Sequence, residues 1–430
     1  MEEDRPHPAQ HPHDDRGPHP VLPRRRPLLL AAALGGLGGA TALAGCAEGS
    51  PGGPTSPARP AADGTTAAGG TPAAGRTPAA SSAGPTQEAL EGWTLEEKIG
   101  QLIMVGVDAA SPQAVSTSAI TSHHVGNVFV SGRTRAGAAA VHATISSVTA
   151  LAGPGTTHGA PLLVATDQEG GQVQVLSGPG FSSIPSALDQ ASLDRDELVA
   201  SARTWGEELA AVGVTMNLAP VADLVDVPDP ADNGPIGAWE REYGHDAATV
   251  EAQAGAFAEG MEAAGVIATV KHFPGLGRVS GNTDTASQVV DASTARTDDP
   301  AVSVFAQMIE QGARAVMMSS AVYSRIDPQA PAVFSEVVVT GMLRTDLGYT
   351  GVVMTDDLSA AVQLKDWDPG ERAVLAITAG CDLVLASGDP SAAAAMAEAL
   401  VEAAGSDPDL AARVDQSVER VLALKGVLQP

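Results

Sequence analysis

Apolar and polar positions fall into alternating blocks along this chain. Eight short apolar runs stand out, at residues 101–107, 126–130, 162–166, 215–220, 266–270, 315–318, 351–354 and 383–385. Each is the length of one strand and lacks the polar alternation of a half-exposed one, as in strands covered on both faces. Between most of them lie segments rich in Ala, Glu and Leu, and residues 195–212, 247–264 and 391–404 have helical periodicity. Eight strands alternating with helices over roughly 340 residues predict an α/β fold, a (β/α)8 TIM barrel forming a single catalytic domain. A doubly wound open sheet is the alternative, but it usually has fewer strands and a glycine-rich phosphate loop, and no such loop is found. One stretch concentrates the pattern. After the run 266–270 come Lys271 and His272 side by side, and then Pro274-Gly275-Leu276-Gly277 breaks the chain into a loop.

The first 85 residues do not join this alternation. Residues 1–23 are rich in Pro, His and Asp, with His7, His11, His13 and His19, and read as a low-complexity leader rather than a metal-binding tract. Arg24-Arg25-Arg26, an apolar stretch over residues 28–43 and the ending Leu43-Ala44-Gly45-Cys46 have the layout of an export signal, too short and Gly-rich to span a bilayer. Leu-Ala-Gly-Cys resembles a bacterial lipobox, which implies cleavage before Cys46 and lipid attachment to its sulfur; the arginines also resemble a twin-arginine signal. An ordinary signal peptide that happens to end in Cys is the alternative. Residues 46–85 are nearly all Gly, Ala, Pro, Ser and Thr, a composition that cannot bury a core and reads as a tether. The division is therefore a leader and signal at 1–45, a tether at 46–85 and a folded domain at 86–430.

Composition narrows the partners. Hydrophobic residues make up 44% of the 430 and charged residues 17%, as in a globular protein, while a net charge of −27 argues against nucleic acid. Aromatics at 3% leave little for an aromatic-lined groove. With Cys46 assigned to lipid, Cys381 is expected to be a small buried apolar residue, and no Cys/His cluster has zinc spacing. No metal or organic cofactor is implied, and a monomer is the default expectation.

In a barrel, polar residues at the C-terminal strand ends face the active site. Those positions hold Asp167 after the third run, Asp223 after the fourth, Lys271 and His272 after the fifth and Ser319-Ser320 after the sixth. Asp356-Asp357 follow the seventh and residues 387–389 the eighth. Helix N-capping would explain Asp357 and Asp223 well, and Asp167 and Asp356 less well. Convergent carboxylates with a Lys and a His suggest a site for a neutral polyhydroxylated ligand.

From residue 86 onward the chain resembles glycoside hydrolase family 3, specifically its single-domain bacterial β-N-acetylglucosaminidases (β-N-acetylhexosaminidases). Residues 93–102 resemble the opening helix, Asp167-Gln168-Glu169-Gly170-Gly171 the sugar-binding loop, and residues 217–223 the fourth strand. Arg241-Glu242-Tyr243-Gly244 is similar to an Arg-Ser-Phe-Gly element, and residues 271–277 and 351–358 complete the set in the family's order. The resemblance implies Asp356 as the nucleophile that forms a covalent glycosyl-enzyme, with Asp167, Arg241, Lys271 and His272 holding the sugar hydroxyls. One motif departs. Where the family carries Asp-Ser-His, whose His is the general acid/base, this chain has Asn282-Thr283-Asp284. Asp284 is expected to take that role, with carboxyls about 5–5.5 Å apart for retention; a loop carboxylate in a weakened enzyme is the alternative. Gln172 also stands where an Arg commonly follows Gly-Gly, and Ser319-Ser320 replace a site that often carries His.

The expected activity is that of an exported, retaining exo-β-N-acetylhexosaminidase acting on GlcNAc-terminated cell-wall or chitin-type glycans. A β-glucosidase or β-xylosidase of the family is a second reading. Those enzymes usually carry a second α/β domain, whereas only one short helix is expected here after Gly405. A sugar-binding lipoprotein that has lost turnover is a third.

Overall fold

The computed structural model describes residues 90–428. The leader, the tether and Cys46 lie outside the described residues. Eight parallel strands close into a barrel: β1 (Ile103–Asp108), β2 (Asn127–Ser131), β3 (Leu163–Thr166), β4 (Met216–Asn217), β5 (Ile267–Phe273), β6 (Ala315–Met318), β7 (Val352–Asp357) and β8 (Leu383–Ala386). Each pairs with its neighbours in chain order, and β8 closes on β1 through the register Ile103 with Val384 and Val105 with Ala386. The strands carry the predicted apolar runs and are buried almost throughout, so the barrel interior is packed with side chains.

The helices that cover the barrel start where the sequence supplies a cap. In α1 (Leu95–Gly100) Thr94 and Glu97 form a reciprocal capping box. Ahead of α5 (Ala247–Ala263) the Asp246 side chain accepts from Thr249 N–H, and ahead of α6 (Pro300–Glu310) Asp299 accepts from Ala301 N–H. The other longer helices are α2 (Ala114–His123), α3 (Ala138–Thr149), α4 (Arg195–Ala211), α7 (Pro369–Ala379), α8 (Ala392–Ser406) and α9 (Pro408–Leu424), with a single helical turn at Ala187–Gln190 and a π-helical segment at Val337–Asp346 after β6. Helices α4 and α5 approach closely. A Cβ on Gly260 would lie 2.5 Å from the Val199 carbonyl oxygen and 2.6 Å from Ala202 Cβ, so only glycine permits that crossing. No described helix is long and apolar enough to cross a membrane.

Four expectations need correction. Lys271 and His272 lie within β5 rather than beyond its tip, because the wall continues past Val270: Ala222 N–H donates to Lys271 O at 2.7 Å and Ser319 N–H to Phe273 O at 2.8 Å. Likewise β7 extends through Asp357. The fourth run contributes only Met216–Asn217 to the regular ladder. Pro220 has no N–H to donate. The chain after residue 405 is not a short helix but the 17-residue α9, which starts at Pro408 and buries Leu410, Val414, Val418 and Val421. Cys381 is fully buried, and burial pushes its thiol up to about 12.

Candidate active site

At the C-terminal mouth of the barrel, the exit of β3 is locked by an amide from β4. Asn217 Oδ1 accepts from Gln168 N–H at 2.9 Å, and its Nδ2 donates to Gln168 O at 3.1 Å, an imitation of strand pairing. The Gln168 side chain does the same to Leu176, at 2.8 and 3.0 Å. Gly170 follows at φ 111°, where a Cβ would sit 2.1 Å from Pro185 O. This clamped turn fixes Asp167 and Glu169 on either side of Gln168.

Glu169 is the centre of a charge network. Arg241 grips it with two parallel bonds, Nε to Oε2 and Nη2 to Oε1, each 2.8 Å. Lys271 Nζ lies 2.6 Å from Glu169 Oε1 and donates to Asp167 Oδ1 at 2.8 Å. Burial alone would raise the Glu169 carboxyl, but the charges of Arg241 and Lys271 outweigh it and hold it at about 2. For Lys271 burial favours the neutral form, and the carboxylates of Asp167 and Glu169 reverse this and raise its pKa. Both cations thus stay charged, Lys271 buried and Arg241 half-buried.

Beside this network His272 Nδ1 lies 2.7 Å from Asp223 Oδ2. Asp223 Oδ1 also accepts from the His272 N–H at 3.0 Å and the Leu276 N–H at 2.7 Å. Fully buried, Asp223 caps no helix, contrary to the capping expectation; it orients the imidazole and closes the turn after β5. The Lys271–His272 and Phe273–Pro274 peptide bonds are cis.

The opposite side of the mouth is acidic. Asp356 Oδ1 accepts from the Asp357 N–H at 2.8 Å. Asp357 does not begin a helix either. Its Oδ1 accepts from Ser359 Oγ, Ser387 N–H, Ser387 Oγ and Gly388 N–H, and its Oδ2 from Ala360 N–H, so it ties the loop after β7 to the loop after β8. Asp284 reaches in from the loop after β5. It keeps solvent contact at the mouth, yet crowding by the cavity walls, followed by the negative charges of Asp356 and Asp357, pushes its carboxyl up to about 6.

The structure brings all six candidate residues to one cavity of about 300 Å³, lined by Asp167, Arg241, Lys271, His272, Asp284 and Asp356. Glu169 and the role of Asp223 were missed from sequence. Glu169 stands two residues from Asp167 in Asp167-Gln168-Glu169-Gly170-Gly171, with no local signal to mark it as the centre of a network. Ser319 and Ser320 are buried and do not line the cavity. Gln172 stays outside it too, and its carbonyl accepts from Arg133 Nη2. Among the described residues no group of His, Cys, Asp and Glu is placed to hold a metal ion.

A barrel mouth that presents Asp284 and Asp356 beside fixed cations suits the chemistry of a glycosidase. Residues 94–424 match the glycosyl hydrolase family 3 N terminal domain, and the chain belongs to that family. A crystal structure of a β-N-acetylhexosaminidase from Beutenbergia cavernae is 56% identical, covers 78% of this chain and 99% of its own, and superposes with a TM-score of 0.77. A family 3 β-N-acetylglucosaminidase from Paenibacillus is 34% identical, covering 78% of this chain and 62% of its own with a TM-score of 0.70. The β-hexosaminidase LpqI of Mycobacterium tuberculosis is 33% identical over 341 residues, 77% of this chain and 82% of that protein.

Proposed function

We propose that this chain is an exported, retaining exo-β-N-acetylhexosaminidase that removes terminal β-GlcNAc from cell-wall or chitin-type glycans. The activity named for its relatives supports the sugar, and one observation carries the mechanism: Asp284 shares the cavity with Asp356 and has its carboxyl pushed up to about 6. A carboxyl poised there is protonated often enough near neutral pH to act as an acid and then as a base. Asp356 attacks the anomeric carbon while Asp284 gives its proton to the departing glycosidic oxygen, so the aglycone leaves as an alcohol and the sugar becomes an ester of Asp356. Asp284, now a carboxylate, takes a proton from water. That water attacks the anomeric carbon, releases Asp356 and yields the free sugar with retained configuration. Asp167 accepts from sugar hydroxyls, Arg241 and Lys271 donate to hydroxyl oxygens, and His272 fixes a further hydroxyl through the nitrogen not held by Asp223. Outside the folded domain at 86–430, residues 1–45 serve as leader and signal, Cys46 carries the lipid, and 46–85 tether the enzyme at the outer face of the membrane.

The test is hydrolysis of p-nitrophenyl β-N-acetylglucosaminide by wild type, Asp356→Asn and Asp284→Ala. Release that vanishes in Asp356→Asn, and that azide restores in Asp284→Ala as a β-glycosyl azide, is the expected result. Sugar binding without turnover in calorimetry would instead identify a sugar-binding protein. Loss of radiolabelled palmitate incorporation in Cys46→Ser checks the anchor.

A further inference from the structure

The loop that delivers Asp284 is not held at the mouth by its own residues alone. It is docked on the segment after β7 at Val362–Leu364, a single 3-10 turn. Val362 N–H donates to Asp284 O at 3.2 Å and Gln363 N–H to Thr283 O at 3.0 Å. The Gln363 side chain then turns back on the far end of the same loop. Its Oε1 accepts from Val289 N–H at 2.9 Å and its Nε2 donates to Val289 O at 3.2 Å. One amide thus engages both backbone groups of one residue, whose carbonyl also accepts from Val322 N–H at 3.0 Å, a two-point contact that a side chain with only a donor or only an acceptor cannot make. Gln363 is 8% exposed and Val289 5%, so water competes little for either bond.

The platform beneath Gln363 is itself fixed at its other end. Asp357 holds Ser359 Oγ at 2.7 Å and Ala360 N–H at 2.8 Å, directly after the strand that carries Asp356. The segment running from Asp356 through Gln363 therefore connects the two carboxylates mechanically. Its start sets one and its end holds the loop bearing the other. In contrast, Asp284 itself has its N–H taken by Asn282 Oδ1 at 2.8 Å, a bond local to the loop that does nothing to place the loop in the barrel.

We infer that Gln363 is a positioning residue for the general acid/base, clamping the Asp284 loop onto the segment that follows Asp356. The inference rests on Asp284 having that role. Gln363 does not touch the cavity, so its loss leaves sugar binding and Asp356 in place and withdraws proton donation from the leaving group. That effect depends on the leaving group, which general damage does not.

The experiment compares kcat/KM, which reports glycosylation alone, for two N-acetylglucosaminides. A 2,4-dinitrophenyl aglycone leaves without a proton and a methyl aglycone requires one. In Gln363→Ala the methyl substrate is expected to slow tenfold or more, with the dinitrophenyl substrate within about threefold of wild type. Gln363→Glu keeps an acceptor for Val289 N–H and loses the donor, so it should fall between the two. Equal losses on both substrates, or no loss on either, overturn the clamp. Asp284→Ala measured on the same pair separates the two claims. If it shows the leaving-group dependence and Gln363→Ala does not, only the clamp fails. If it shows none, the acid/base assignment fails and takes the clamp with it.

Discussion

Replacing Glu169 by Gln tests whether the buried charge network is held by ionisation. The substitution preserves shape, but points an amide NH2 at donors that now face a carboxylate: Arg241 Nε and Nη2 at 2.8 Å and Lys271 Nζ at 2.6 Å. The preference for the ionised form is read from the carboxyl itself, held at about 2 against an ordinary 4.5. At about 1.4 kcal/mol for each tenfold change in proton affinity, that gap corresponds to about 3 kcal/mol. Removing one partner of a buried ion pair costs about 3–5 kcal/mol, so the two magnitudes agree. In a domain of this size roughly 2 °C of midpoint accompanies each kcal/mol, giving a fall of roughly 6–10 °C. The assay is thermal unfolding of wild type and Glu169→Gln from pH 3 to 8. Because the folded carboxyl is depressed, its contribution is complete above the unfolded value of 4.5 and is lost as pH falls through about 2. The gap between the two proteins is therefore constant from pH 5 to 8 and narrows below 4.5. A gap that stayed the same at pH 3, or one under 1 kcal/mol at pH 7, would refute the reasoning.

Three other expectations follow from the same geometry. For Asp284, whose carboxyl is pushed up to about 6, wild-type activity falls as pH rises through that value and the acid form disappears, and the residual activity of Asp284→Asn is flat there in a pH–rate profile. Asp223→Asn places an amide against the His272 and Leu276 N–H groups, with an expected loss of about 1–3 kcal/mol in urea unfolding and a drop in kcat/KM of tenfold or more. Lys425 donates to Gln101 Oε1 at 2.6 Å and Gly126 O at 2.8 Å, and burial lowers its pKa to about 7 from 10.5. Between those values the unfolded chain keeps a proton that the folded protein has released, so stability rises with pH; Lys425→Met, measured at pH 7 and 9.5, lacks that rise.

What could be read from the chain, and what could not, divides by the range of the interaction. The strands announced themselves because a barrel strand covered on both faces is apolar at most positions, and that is local information. Lys271 and His272 were conspicuous for the same reason, as polar residues on an apolar run. Glu169 carried no such contrast, because a Glu in Asp-Gln-Glu-Gly-Gly looks like an exposed turn residue until Arg241, 72 positions away, is brought to it. Asp223 was read as a helix cap because an Asp after a strand often is one. Here the next α-helix begins only at Ala247, and the carboxylate turns instead to His272. The helix after residue 405 was underestimated because its apolar face recurs every third or fourth residue, a weaker signal than a continuous run.

Adjacent carboxylates at the end of β7 differ in their hydrogen bonding, and on the proposed mechanism that difference separates their roles. Asp356 and Asp357 both line the cavity, but their hydrogen bonds differ. Asp357 takes Ser359, Ala360, Ser387 and Gly388 as partners, five donors in all, so both of its oxygens are engaged by the loops it ties together. Asp356 accepts the N–H of Asp357 at 2.8 Å and lines the cavity. On the proposed mechanism it therefore supplies the nucleophilic oxygen, while Asp357 holds two loops in place and contributes a fixed negative charge. That charge acts in one direction on its neighbours. It raises the Asp284 carboxyl together with Asp356, and it strengthens the negative side of the mouth opposite Arg241 and Lys271. A sugar ring between the two sides would find donors for its hydroxyls toward the cations. Its anomeric carbon, which becomes positive as the glycosidic bond breaks, would face the carboxylates.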